Sequence, residues 1–230
     1  MPESTTRQGT TEERDAAQPR WLLDPWPADL YPRRRNLLFV LSGPSGVGKD
    51  ALISALKTEK YPLHYVVTVT TRPRRETEVD GVSYHFATPL EFARLREAGE
   101  LLEWANVHGY DYGTPARQVR EALQSGWDVL LKIDVQGAAQ VKARVPGGVF
   151  IFLGPPSVEE LVDRLARRGT ESAEDLQERI RNASREMQAL RNYDYLVVNR
   201  EGRLPEAVAQ VKAIIEAERL RTRPRECDLG

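Results

Sequence analysis

Cysteine is nearly absent from this chain: Cys227 stands alone among 230 residues. No internal disulfide can form, and the composition suits a reducing compartment. Its polar C-terminal setting gives no sign of a reactive thiol. No apolar run approaches the roughly 20 residues that a membrane-crossing helix needs. Residues 1–30 have neither the basic start nor the apolar middle of a secretory signal, so a cytoplasmic protein with no membrane partner is expected. An excess of either charge is missing too, with 33 Lys and Arg against 34 Asp and Glu. That balance excludes a global field for gripping nucleic acid, and any basic site must be local. Internal repeats are absent, as are low-complexity blocks beyond the N-terminal tail.

What is present suits a soluble α/β unit with insertions, because 40 % of the residues are hydrophobic and can supply a sizeable core. Residues 1–35 form an N-terminal extension. Its first 20 residues are too polar to repay the entropy of ordering, and disorder is expected there. Trp21, Leu22, Trp26, Leu30 and Tyr31 then make a Pro-punctuated apolar patch suited to docking on the body, ahead of Arg33, Arg34 and Arg35 at a solvated boundary. The main domain is expected over 36–216, with a C-terminal tail at 217–230.

Within it, apolar runs at 37–42, 127–133, 148–153 and 194–199 read as buried parallel strands. Helix starts are marked by Thr88-Pro89 with Glu91, Thr114-Pro115, Ser157 with Glu160, and Ser172 with Asp175. Gly99, Gly126 and Gly169 mark helix stops. The β-branched run Val66 to Thr71 and the Asp80-Gly81 turn give the stretch before Thr114 a β-rich character.

The most informative segment is Gly43-Pro44-Ser45-Gly46-Val47-Gly48-Lys49-Asp50, directly after the apolar run Leu37 to Leu41. Glycines let consecutive N–H groups turn toward one anion, a helix start adds positive potential, and Lys49 reaches the outer phosphates. The chain is therefore expected to handle a nucleoside triphosphate. Position 50 is irregular: a hydroxyl that holds Mg²⁺ is usual there, whereas Asp50 offers a carboxylate or simply a favourable first-turn acid.

Further motifs follow in order: Thr68 to Arg72 with Arg75, Glu78 to Tyr84, Glu103-Trp104, Tyr112 to Thr114, Ile133 to Gly137, and Pro155 through Thr170. Together these make residues 37–215 resemble the guanylate kinases. The resemblance implies an α/β fold, a parallel sheet flanked by helices, with a β-rich acceptor-binding insertion at about 67–114 and a lid at about 155–185. It also implies transfer of the γ-phosphoryl group of ATP to GMP, and to dGMP, in purine nucleotide metabolism, with Mg²⁺ accompanying ATP.

Residue by residue, the resemblance assigns Arg72, Arg75, Tyr84 and Tyr112 to the acceptor's 5′-phosphate, where arginine's planar fork suits the anion. Glu103 would accept from the guanine N1–H and exocyclic amine, and adenine offers no such pair of donors. Thr68 and Thr114 would meet the remaining guanine edge, although Thr114, just before Pro115, is equally placed to cap a helix. Asp134 leaves a strand end toward the phosphate loop and would organise Mg²⁺ or the acceptor, with Asp50 a second metal candidate. Arg164 and Arg168, four apart on one helix face, and Arg179 match arginines that offset charge on the transferred group. Asn199 corresponds to a residue near the donor adenine, or serves as a strand-ending turn residue.

Two departures stand out beside the Arg-Pro-Arg-Arg order at 72–75. Lys132 occupies a position where the family usually carries an acid, and Asp50 replaces a hydroxyl. An Asp50–Lys132 ion pair is the expected consequence. Asp50 also keeps a ribose-bisphosphate phosphokinase open as an alternative, against which Glu103 and the tyrosines argue. A non-catalytic guanylate-kinase-like binding module is a second alternative, disfavoured by the intact loop.

Overall fold

The computed structural model describes residues 35–107, 109–167 and 173–229, without the side chains of 173–176. The expectations for residues 1–34, including the Trp21 to Tyr31 patch, and for Arg168, Gly169 and Ser172 lie outside it.

Strand β1 (Leu38–Ser42) runs through the centre of the molecule with every residue buried. Alternation along it sends side chains to opposite faces. Leu37, Phe39 and Leu41 pack with Leu52 and Leu56 of α1 (Lys49–Thr58) and with Val208, Val211 and Ile215 of α7 (Leu204–Arg219). Leu38 and Val40 pack against Val119 of α3 (Ala116–Gln124) and Ala138 and Val141 of α4 (Val135–Arg144). Burial on both faces is why this strand reads as an unbroken apolar run rather than an alternating one.

The sheet has five parallel strands in the order β2-β7-β1-β8-β9, adding β2 (His64–Tyr65), β7 (Val129–Lys132), β8 (Val149–Gly154) and β9 (Tyr195–Val198). The four apolar runs therefore form β1, β7, β8 and β9. Because β1 has neighbours reached by connections on both sides, its C-terminal end opens on a crevice, where α/β sheets bind ligands.

A second sheet of order β4-β3-β6-β5 comprises β3 (Val69–Thr70), β4 (His85–Phe86), β5 (Leu101–Val107) and β6 (Tyr110–Pro115). Helix α2 (Pro89–Glu97) covers it through Phe92, which packs with Val69 and Leu101. β2 belongs to the parallel sheet, whereas β3, inside the β-branched run Val66 to Thr71, belongs to the second sheet. One continuous strand cannot serve two sheets, and the chain crosses between them at 66–68.

The helix signals hold where side chains can reach. Thr88 and Glu91 form a reciprocal capping box at α2. Ser157 Oγ accepts from Glu160 N–H at 3.2 Å ahead of α5 (Val158–Arg167). Gly99 and Gly126 follow α2 and α3. Thr114 is the correction: it lies inside β6 and Pro115 occupies the N-cap of α3 with no side-chain cap. Helix α6 (Ala173–Gln188) packs on α5 through Ala183 and Ile180 against Leu161 and Leu165.

The C-terminal segment also differs from a merely polar tail. Helix α7 runs on to Arg219, whose guanidinium meets the fully buried Asp128 carboxylate at 2.7 Å. Asp128 Oδ1 in turn accepts from Leu37 N–H at 2.8 Å. Beyond the helix, Cys227 Sγ accepts from Leu38 N–H and donates to Gly147 O, each at 3.4 Å. Burial pushes the thiol above its usual range, so it stays protonated.

Candidate active site

The loop between β1 and α1 is the anion cradle. Gly48, the N-cap of α1, has φ 102°, and a Cβ there would lie 2.5 Å from Asn199 Nδ2, so only glycine fits. Asn199 is buried at the end of β9, and its Nδ2 donates to Val47 O at 2.8 Å. Its Oδ1 is buried with no partner among the described residues. Arg164 reaches across from α5 to donate to Val47 O at 3.3 Å and Asn199 O at 2.8 Å, and it pairs with Glu160. The guanidinium thus sits at the loop, bracing its backbone.

Lys49 folds back onto the loop, its ammonium donating to Gly43 O at 2.5 Å and Pro44 O at 3.0 Å. Desolvation lowers its pKa from the usual lysine value, against the opposing pull of Glu186, Asp50 and Asp134. Glu186 is a residue that sequence reasoning missed. From α6 its carboxylate accepts from Ser45 N–H at 3.0 Å, placing an anion where a phosphate oxygen would bond. No local pattern marks it, since the contact spans 141 positions.

The C-terminal end of β7 carries the next group. Lys132 pairs in register with Leu41 of β1, which sets its side chain beside the loop. Its ammonium lies 2.5 Å from Asp50 Oδ1, the ion pair that the sequence departures implied. The same nitrogen donates to the Tyr84 hydroxyl at 3.2 Å. Desolvation opposes that charge, but Asp50 and Tyr84 outweigh it and hold the ammonium above its ordinary range. Asp134 caps α4, accepting from Gly137 N–H at 2.8 Å and from the Gln136 amide at 3.2 Å.

Around Tyr84 the expected phosphate ligands converge. The Tyr84 and Tyr112 rings meet edge to face with centroids 6.0 Å apart. Arg72 lies over the Tyr84 ring at 5.4 Å and is oriented by Glu78 at 2.6 Å. Arg75 is anchored by its backbone N–H to the other Glu78 oxygen at 2.9 Å. Glu78 therefore organises both arginines.

Glu103 faces the same cleft from β5 and is 3 % exposed. Its Oε1 accepts from the Thr114 hydroxyl at 2.5 Å, across the antiparallel pairing of β5 with β6. The other oxygen packs so closely on Gly137 that any Cβ there would collide with it. Burial raises the carboxyl to about 7; Asp134 pushes the same way, while Thr114 and Arg144 oppose it. Thr68 sits at the start of the insertion, its carbonyl accepting from His85 N–H at 2.9 Å. Arg179 lies on α6, whereas Arg168 is outside the described residues.

The arrangement offers cationic groups at the loop, Lys49 and Arg164, and in the insertion, Arg72, with Lys132 between Asp50 and Tyr84 and a buried carboxylate on β5. Among the described residues no three His, Cys, Asp or Glu side chains gather to hold a metal, and no helix is long and apolar enough to cross a membrane.

Residues 35–218 match the family model for guanylate kinase. The chain is similar to a guanylate kinase of Streptococcus pyogenes serotype M3, 50 % identical over 188 residues that cover 81 % of this chain and 88 % of that protein. It is also similar to one of Chelativorans sp., 46 % identical over 190 residues, or 82 % and 86 % of the two chains. Among solved structures, guanylate kinase from Anaplasma phagocytophilum superposes with a TM-score of 0.67 at 32 % identity, covering 82 % of this chain and 89 % of that one.

Proposed function

The chain belongs to the guanylate kinase family, whose reaction is phosphorylation of GMP by ATP, and we propose that its own residues divide that reaction as follows. Glu103, with Thr114 and Thr68, takes guanine. Arg72, Arg75, Tyr84 and Tyr112 hold the GMP phosphate. Gly43 to Asp50 cradle the ATP phosphates, with Asn199 beside the adenine. The buried Glu103–Thr114 pair carries the reading, because a desolvated acceptor is satisfied by guanine's paired donors and left costly by adenine.

Phosphoryl transfer asks little covalent work of the protein, so positioning and charge do most of it. Lys49, Arg164, Arg168 and Arg179 offset charge on the transferred group, while the Arg72 cluster holds the attacking phosphate in line. Mg²⁺ dehydrates reluctantly and takes one or two carboxylates beside phosphate oxygens. Asp134 fits that need, since its hydrogen bonds from Gln136 and Gly137 leave lone pairs on the carboxylate, and Asp50 offers a second carboxylate in the first turn of α1. Bound with ATP, the ion would withdraw charge from the outer phosphates. Acceptance of dGMP, a cytoplasmic location and the absence of nucleic-acid and membrane partners belong to the same proposal.

The test is ADP release from ATP with GMP, dGMP, AMP, UMP or ribose 1,5-bisphosphate as acceptor. Turnover with GMP and dGMP, and little with AMP or UMP, is expected. Activity restricted to the sugar bisphosphate would select a different kinase, and folded protein inert to every acceptor would select a binding module.

A further inference from the structure

Lys132 sits where the two halves of the cleft meet, and the bonding of one oxygen gives it a task. A tyrosine hydroxyl has one proton to donate and lone pairs to accept with. At Tyr84 an accepting site is taken by the Lys132 ammonium, which cannot accept in return. The single O–H is therefore turned away from Lys132. Over the same ring stands Arg72 at 5.4 Å, with Tyr112 edge-on at 6.0 Å. A carboxylate at position 132 would do the reverse, drawing the Tyr84 proton to itself and presenting lone pairs to an incoming anion.

We propose that Lys132 is a positioning residue for the acceptor phosphate, fixing Tyr84 as an outward hydrogen-bond donor and tying it, through Asp50, to the donor loop. Asp50 holds Lys132 from the first turn of α1 at 2.5 Å, so a single ammonium links the phosphate loop to the insertion. The pair replaces an acid and a hydroxyl with a carboxylate and a cation, moving negative charge from β7 to the exposed helix start. Only 25 % of the Lys132 side chain is exposed, against 75 % for Asp50, so the cation is the more enclosed member of the pair. The inference rests on reading Tyr84 as a ligand of the GMP phosphate.

The wild-type enzyme is assayed first with GMP; failure there would count against the GMP reading itself and not against the role of Lys132. Lys132→Met is then expected to raise the GMP KM about tenfold, the scale of one charge-assisted hydrogen bond lost through an intermediary. The inhibition constant of guanosine, which has no phosphate, should stay within about twofold of wild type. In a Tyr84→Phe background the same substitution should cost less than about twofold, because the oxygen it acts through is gone. Lys132→Gln, which still donates to the phenol, should recover part of the loss, and it carries the test should the Met variant fail to fold. Equal weakening of GMP and guanosine would overturn the proposal, as would an undiminished cost in the Tyr84→Phe background.

Discussion

Thr114 gives its hydroxyl proton to Glu103 Oε1 across two antiparallel strands, at 2.5 Å, and both side chains are buried. The bond fixes one carboxylate oxygen and leaves the second pressed against Gly137 at the start of α4. A carboxyl so enclosed has a tightly defined direction in which to accept. The proposed discrimination between purines rests on that direction.

Glu103→Gln should therefore lower kcat/KM for GMP by about 10²-fold or more, since the amide offers one acceptor oxygen and no charge. AMP, which gains nothing from the carboxylate, should change little. Steady-state kinetics with both nucleotides checks this, and an unchanged GMP-to-AMP ratio would remove Glu103 from the reading of the base.

The Glu103 carboxyl also predicts a pH effect whose sign is fixed. Its folded pKa, about 7, lies above the ordinary 4.5, so between those values the folded protein holds a proton that the unfolded chain has released. Stability from this group is complete below about 4.5 and declines as pH rises toward 7, by an amount on the order of 3 kcal/mol. Guanine needs the ionised form, so GMP affinity should rise over the same window and binding near pH 6 should release a proton. Calorimetry in buffers of different ionisation enthalpy reads that proton, and Glu103→Gln should remove the share of it that does not come from the GMP phosphate, which itself titrates at about pH 6.

Glu186 makes a prediction on the donor side. Its carboxylate occupies the Ser45 N–H and lies near Lys49, so ATP must displace it. Glu186→Gln weakens the occupant and should lower the ATP KM roughly three- to tenfold without altering the GMP KM. A raised ATP KM would mean the carboxylate assists binding.

Lys49→Ala should reduce kcat by about 10²–10³-fold, the scale of one lost electrostatic donor at a phosphoryl group. The GMP dissociation constant should hold, because the acceptor ligands lie on the insertion. Equilibrium binding beside turnover separates the two.

Arg219→Ala removes the guanidinium that pairs with the buried Asp128 carboxylate. A loss of about 3–5 kcal/mol is expected, seen as a lower Tm, with kcat for GMP unchanged. That pairing joins the end of α7 to the start of β7, far along the chain from either.

These long-range meetings mark the limit of what was legible in sequence. Four of the five parallel strands were readable because they form unbroken apolar runs, while the two-residue edge strand β2 was not; the phosphate loop was readable because its spacing is local chemistry. The Asp50–Lys132 pair was inferable because two departures of opposite sign fell at family positions known to face one loop. By contrast, Glu186 and Arg219 are single helical charges, indistinguishable in sequence from solvated residues until the fold brings them to Ser45 and Asp128. Thr114 was balanced between two roles because Pro115 supplies a helix start whether or not the threonine caps it. The crossing between the two sheets at 66–68, inside a β-branched run, was not legible because β propensity does not say which sheet a residue joins.

A crystal structure of the protein with GMP bound is the most direct trial of the whole arrangement. Guanine N1 and the exocyclic amine should lie within about 3 Å of the Glu103 oxygens, with the 5′-phosphate against Arg72, Tyr84 and Tyr112. A base bound elsewhere, or a phosphate turned away from Lys49, would contradict it.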